Sequence, residues 1–340
     1  MKELYFSQKI INSDNMREKY EEAGRIAAKV RKQAAKKATA GMKAYDLVDW
    51  IESEILSTGA GLSFPCNLSI NQIAAHYTPD PGDETLLCNG DIVKIDLGAE
   101  VDGYISDTAV TVIIEGDNAD PFDEDGKPLK MPGRLDDGLQ EVSEDEIEER
   151  RKIIDASSSA LENVISILKE GVTLKQIGTT VQETMNAQGY NPIVNLAGHS
   201  LEQNNLHAGL SIPNYPENNN YELKEGDHVA IEPFATNGIG EVGDMPQHHI
   251  FSYLRPRPLR QPDAKKLLKR ISTQNTYFPF SKRCFLDEYD PRSLNRAIRP
   301  LIASRAIYPY AALKERTDGM VAQTEHTIII EKEGCQVTTL

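Results

Sequence analysis

Apolar and polar positions along the chain alternate between two periods. From residue 14 to 38, Met16, Tyr20, Ala23, Ala27, Val30 and Ala34 recur at helical spacing behind Asp14, which can cap the helix. A second helix follows Gly41, turns Leu47, Trp50, Ile51 and Ile55 inward, and ends at Gly59. FPCNLSINQIAAHYTPD, residues 64 to 80, reads as a short strand leading to His76 and a proline-rich turn. In VKIDLGAEVDGYISDTAVTV, residues 93 to 112, Val93, Ile95 and Leu97 alternate with Lys94 and Asp96. Asp102-Gly103 is a hairpin-turn dipeptide, and Val110, Val112 and Ile114 carry a second strand away from it. Helix returns with Ile147, Ile154, Ala160, Val164 and Leu168 on one side.

The pattern then repeats. Gly171 leads into a helix that ends at Gly189, the same interval as Gly41 to Gly59. Asn191-Pro192 and Ile193-Val194 mirror Phe64-Pro65 and its strand, and EGDHVAIE, ending at Glu232, parallels NGDIVKID, ending at Asp96. A duplicated α/β half would set Asp96 and Glu232 at related positions about a pseudo-twofold axis. After Phe251 the chain changes character. A Pro/Arg-rich linker runs into a basic amphipathic helix carrying Ala264, Leu267, Leu268 and Ile271, and further helix is predicted from Leu294 to about Lys314. Residues 255–318 therefore read as an inserted helical subdomain within a catalytic domain of residues 1–254 and 319–340. The strand GMVAQTEHTIIIEK closes the pattern, with Glu325 just before a β-branched run.

The hairpin carries two carboxylates, Asp96 and Asp107. With a two-residue turn at Asp102-Gly103, Asp107 faces Gly98, two places from Asp96 on the same side; a four-residue turn from Glu100 would put the two acids directly opposite. Either register leaves them roughly 5 to 8 Å apart at Cβ. A bare pair at close approach repels by about 4 kcal/mol at an effective dielectric near 20, so a cation between them is indicated. Two solvated strand aspartates are the competing explanation.

Composition narrows the class. The N-terminal stretch lacks an apolar core and no run of eighteen apolar residues occurs, so neither a secretory precursor nor a membrane protein is expected. Four scattered cysteines without a CxxC pair argue for a reduced cytoplasmic compartment and against zinc-finger chemistry. The net charge of −15 is uneven: residues 115 to 150 hold fourteen acidic and four basic residues, whereas 255 to 306 hold thirteen basic and four acidic. The first segment, poor in apolar positions, is expected to be an exposed, partly disordered excursion. The second suggests a surface for an acidic partner.

NLAGHSLEQNNLHAG, residues 195 to 209, adds His199 and His207; Glu232 and Glu325 sit in apolar strand surroundings, where a carboxylate is costly to bury unpaired. Asp96, Asp107, His199, Glu232 and Glu325 together form a set of four carboxylates and one imidazole, suited to two divalent ions. Oxygen-rich ligation without thiolate favours Mn, Fe or Co over a structural zinc.

These motifs, FPCNLSINQIAAHYTP, VKIDLGAEVDGYISDTAVTV, NLAGHSLEQNNLHAG, AIEPFAT and AQTEHTIII, resemble those of the type II methionine aminopeptidases, over about residues 15 to 335. The resemblance implies the pita-bread fold, an α+β architecture of two duplicated halves around a curved antiparallel sheet. It implies removal of the initiator methionine from nascent proteins when the second residue is small, by metal-activated hydroxide attack on the first peptide bond. Two divalent ions (Co, Mn, Fe or Zn) would be the cofactors. Asp96 would bind one, His199 and Glu232 the other, and Asp107 and Glu325 both. Glu232 would help deprotonate the attacking water, and His76 and His207 would contact the scissile amide. Phe64, Ile250 and Tyr310 would line the methionine pocket. The inserted 255–306 segment could contact the ribosome, and the enzyme would act as a monomer. Thr324 stands where relatives carry an aromatic. His248, His249 and His326 read as structural. Two alternatives stay in view: an Xaa-Pro dipeptidase or aminopeptidase P of the same fold, and a non-catalytic binding protein.

Overall fold

The computed structural model describes residues 2–138 and 141–340, with side chains described from residue 15 onward. The duplication anticipated above is physical, and it is written in matching hydrogen bonds. Long helices, Lys2–Lys37 and Glu144–Ile167, each precede a 14-residue helix, Ala44–Ser57 and Leu174–Ala187. Gly41 and Gly171 enter the short helices at φ of 80° and 86°, and Gly59 and Gly189 leave them at 89° and 87°, a region open to glycine at no steric cost. Leu87 N–H donates to the Met42 carbonyl, and Leu223 to that of Val172, both at 2.9 Å. At the turns before the acid-bearing strands, Asp91 accepts from Cys88 N–H at 2.8 Å and Asp227 from Lys224 N–H at 2.9 Å. The two turns are thus built alike, each by a glycine and by an aspartate that closes the loop behind it.

Each half lays its helices against the outer face of a sheet. In one, Ile92–Leu97 lies between Asn67–Ile70 and Thr108–Ile113; Val93, Ile95 and Leu97 bury themselves under Ala27, Val30, Leu47 and Ile51. In the other, His228–Ile231 lies between Ala197–Ser200 and His326–Glu331, and Val229, Ile231 and Ile328 pack under Ile153, Ala160 and Val164. Alternation along a strand then turns Asp96, next to Ile95, toward the opposite face, where the halves meet. The join is made by threonines. Thr327 Oγ1 donates to the Asp107 carbonyl and accepts its N–H, both at 2.8 Å. Thr111 does the same with Gln323, and Thr108 Oγ1 donates to the Glu325 carbonyl at 2.8 Å.

The hairpin takes the two-residue turn. Asp102 and Gly103 have φ of 53° and 86°, as a type I′ turn requires, and paired residues sum to 205 from Val101↔Tyr104 to Ile92↔Ile113. Asp107 therefore faces Gly98 and sits diagonal to Asp96.

Four expectations need correction. The first helix begins at Lys2, so Asp14 lies within it and does not cap it. On the third helix the inward stripe is Ile153, Ala156, Ala160, Leu161 and Val164, with Ile147 and Ile154 only half-buried. Residues from Ile307 to Lys314 are not helical: Ile307–Glu315 is a strand paired with Val242–Tyr253. Its alternation of Tyr308 and Tyr310 with Ile307 and Pro309 is a period of two, which the helix preceding it obscured. The helical part of the insertion is Pro262–Gln274 and Pro291–Ala303, around a core of Leu267, Ile271, Phe285, Leu294 and Leu301. The acidic excursion, of which residues 139 and 140 lie outside the described residues, is exposed on its outward limb but docks on its return. Gly133 packs on the Tyr77 ring and donates to Thr85 Oγ1 at 3.0 Å, and the buried Arg134 pairs with Asp91.

The insertion is clamped to the catalytic half by buried charges. Arg283 pairs with Glu52, which also accepts the Cys66 N–H at 3.0 Å, and Lys282 Nζ reaches Asp80 Oδ2 at 2.6 Å.

Gly98 keeps the space opposite Asp107 clear: a Cβ there would lie 2.0 Å from Ser63 Oγ and 2.4 Å from the Ser106 carbonyl oxygen. Gly98→Ala is expected to destabilise the protein by about 1–3 kcal/mol. Urea unfolding of the metal-free protein measures it, and an unchanged midpoint would show that the site is looser than described.

Candidate metal centre

The join between the halves holds a cavity of about 240 Å³, and every residue named from the sequence as ligand, catalytic group or methionine contact lines it. Asp96 comes from the strand Ile92–Leu97, and Asp107 precedes Thr108–Ile113. His199 lies in Ala197–Ser200; Glu232 follows His228–Ile231, and Glu325 precedes His326–Glu331. Asp107, His199 and Glu325 bring one ligand atom each within 4.8 Å of one another. His199 Nε2 is 3.5 Å from Asp107 Oδ2. Gln323 ties the remaining pair: its Nε2 is 3.3 Å from Asp96 Oδ2 and 3.2 Å from Glu232 Oε2.

The electrostatics of this cluster are one-sided. Burial, then the Asp107 charge, pushes the carboxyl groups of Asp96, Glu232 and Glu325 well above the ordinary range. Asp96 Oδ1, Asp107 Oδ1, His199 Nδ1 and Glu325 Oε2 are buried without a hydrogen-bond partner among the described residues. Among the described residues, no lysine or arginine lines the cavity. Buried acceptors without donors call for a cation.

Burial disfavours the charged form of the two other histidines that line the cavity. Burial lowers the His76 pKa, and His207 is pushed down to about 4, first by burial and then by His199, whose ring it meets edge-on with centroids 4.5 Å apart. His76 holds φ of 62°, the left-handed region, costly for a residue with a Cβ. Its Nδ1 lies 3.2 Å from the Ala311 carbonyl, which only accepts, so Nδ1 carries the proton and Nε2 keeps its lone pair. Tyr310 packs edge-on against the same ring, centroids 5.6 Å apart. Phe64, Ile250 and Tyr310 form the apolar side of the cavity with Leu206 and Phe234.

The model of metallopeptidase family M24 matches residues 18–332. The chain belongs to that family. It is 44% identical over 324 residues to a methionine aminopeptidase of Methanothermobacter thermautotrophicus, covering 95% of this chain and 99% of the relative. To a methionine aminopeptidase of Archaeoglobus fulgidus it is 36% identical over 326 residues, covering 96% and 99%. Among solved structures, it resembles methionine aminopeptidase of Rickettsia prowazekii with a TM-score of 0.65 at 20% identity, over 96% of this chain and 98% of that one. A thermophilic Arx1 superposes with a TM-score of 0.77 at 18% identity, covering 95% and 90%. The prolidase of Pyrococcus furiosus gives 0.56 at 17%, over 96% of this chain but 64% of that one. These structures share the pita-bread fold with this chain.

As an M24 metallopeptidase the chain binds divalent metal, and the donor set suits it: hard oxygens and one imidazole, without thiolate. Sequence reasoning overlooked Gln323, although it stands two residues before Glu325 on the period-two face that carries the acid. It also missed the joining threonines, whose role needs a partner strand hundreds of residues away. Thr324 is satisfied by Ser157 Oγ at 3.1 Å, a polar contact in place of an aromatic one. His249 lies against Tyr77 and Asp80, and His326 against Thr339 and Arg31; neither lines the cavity.

A carboxyl group whose folded pKa is raised keeps its proton where the unfolded chain has lost it. Stability of the metal-free protein therefore falls as pH climbs from about 4 through the raised values. Metal must displace those protons. Calorimetric titration of stripped protein with Mn is expected to release protons and to tighten with rising pH; equal heats in buffers of different ionisation enthalpy would contradict it. Gln323→Ala, by freeing Asp96 and Glu232 to swing apart, is expected to weaken metal binding about ten-fold in the same titration.

Proposed function

We propose that this chain removes the N-terminal methionine of nascent proteins, with Asp96, Asp107, His199, Glu232 and Glu325 holding two divalent ions. The carrying observation is that these five groups, His76, His207 and the apolar trio Phe64, Ile250 and Tyr310 share one cavity. The relatives of similar length cited above bear the name methionine aminopeptidase. Those relatives favour this function over cleavage of Xaa-Pro bonds.

Bound divalent ions would acidify water and polarise the scissile carbonyl. Glu232 would take the proton of the attacking water. The lone pair of His76 Nε2 would accept the scissile N–H, and His207, neutral at pH 7, would donate to the oxygen on which charge develops. Phe64, Ile250 and Tyr310 would enclose the methionine side chain while the cluster of acceptors faces its α-amine, so a blocked terminus would be refused. The four cysteines are unpaired thiols, as a reduced cytoplasm would keep them. No helix among the described residues is long and apolar enough to cross a membrane.

Stripped protein restored ion by ion should cleave Met-Ala-Ser and leave Xaa-Pro peptides intact. Cleavage of the proline substrates alone would reverse the assignment. His76→Ala and His207→Ala are each expected to lower kcat about a hundred-fold, with KM moving far less.

We also propose that the insertion docks on ribosomal RNA. Lys265, Lys269, Arg296 and Arg299 are exposed on its two helices, while Lys266 and Arg270 are engaged by Glu288 and Asp287. Reversing the first four charges should abolish cosedimentation with ribosomes at low salt. Undiminished cosedimentation would dismiss the contact.

A further inference from the structure

The sheet formed by Val242–Tyr253 and Ile307–Glu315 has two unlike faces. Ile250 pairs with Tyr310, Phe251 with Pro309, Ser252 with Tyr308 and Tyr253 with Ile307, and facing residues project to the same side. On one side Phe251 and Ile307, each 1% exposed, lie in the core of the inserted helices Pro262–Gln274 and Pro291–Ala303. The other side begins inside the cavity with Ile250 and Tyr310. It runs outward through Ser252 and Tyr308 to Leu254, whose N–H continues the ladder by donating to the Ala306 carbonyl at 2.9 Å.

The outer end of that second face is open to solvent. Tyr308 is 51% exposed and Leu254 47%. Aromatic contact is unbroken from the catalytic histidine outward: His76 meets the Tyr310 ring at 5.6 Å between centroids, and Tyr310 meets Tyr308 at 5.0 Å. The Tyr310 hydroxyl also donates to Ser252 Oγ at 3.4 Å, which fixes the first tyrosine upright beside the second. Two large side chains left bare in line with a buried cavity form a strip that leads from the site to solvent.

We propose that this face is the track for the substrate's own chain beyond its second residue, and that Tyr308, with Leu254 behind it, grips an apolar side chain at the third residue. The proposal rests on the aminopeptidase function given above. With the first residue enclosed in the cavity and the scissile bond at His76, the face beyond Tyr310 offers the remaining chain a way out to solvent. An extended peptide advances about 3.3 Å per residue, so the side chain after the second residue falls within reach of Tyr308. The insertion buries the far side of the same two strands and holds the track rigid.

The test compares kcat/KM for Met-Ala-Leu-Ser and Met-Ala-Ser-Ser amides on the metal-restored full-length protein. The leucine peptide is expected to be favoured about five-fold, carried in KM, as partial burial of one apolar side chain would give. Tyr308→Ser should bring the ratio close to one, and Tyr308→Phe should keep it. A ratio near one in the parent protein, or one that survives both Tyr308→Ser and Leu254→Ser, overturns the track while leaving the aminopeptidase function standing. So does a dimer in gel filtration that Tyr308→Ser dissolves beside a flat peptide profile, since the face would then serve a second copy of the chain. Failure to cleave either peptide removes the function and the track together.

Discussion

Five acceptors buried against one another set the terms for the rest of the molecule. Unscreened by water, two carboxylates about 4 Å apart repel by about 4 kcal/mol at an effective dielectric near 20, and here four share a cavity with no lysine or arginine among the described residues that line it. The fold has to hold them together before any ion arrives. It does so with neutral donors: Gln323 spans Asp96 and Glu232, and threonine hydroxyls fasten the backbone at Asp107, Gln323 and Glu325. A positive side chain in those places would quench the cluster and compete with metal. Amide and hydroxyl groups position the acids while leaving their charge for a cation.

The duplicated architecture makes this arrangement economical. Each half contributes an acid from the strand that follows a Gly-Asp turn, Asp96 from one and Glu232 from the other. Helices cover the outer faces, so alternation along the strands leaves the inner faces for chemistry. The second half supplies the imidazole of His199, and the strand near the C-terminus returns to the junction with Glu325. The cavity therefore exists only where the halves meet, and neither half holds the complete set.

Much of this was legible along the chain because local rules and tertiary demands agree. The repeat was visible in matched glycine spacings, since left-handed backbone at Gly41, Gly59, Gly171 and Gly189 favours that residue. The ligands stood out as acids in apolar strands. Hairpin register stayed open until the turn geometry settled it, because two- and four-residue turns share the dipeptide Asp102-Gly103. The strand Ile307–Glu315 was hidden behind a helix of strong apolar periodicity, and its pairing partner lies more than fifty residues upstream. Arg134 was concealed by composition: a segment rich in acid and glycine reads as solvated, yet one arginine in it finds the buried Asp91. Long-range pairing of this sort leaves no periodic trace.

The clamp at Glu52 makes the inserted helices structural as well as peripheral. Its carboxylate is shared between the Arg283 guanidinium and the Cys66 N–H, one residue from Asn67, which faces Asp96 in the adjoining strand. Trimming the insertion away would strand an anion behind the acid cluster, with the Cys66 N–H as its remaining partner among the described residues. Changes to the outer surface of the insertion leave this tie untouched, whereas excising its root would disturb the strand that pairs with Asp96.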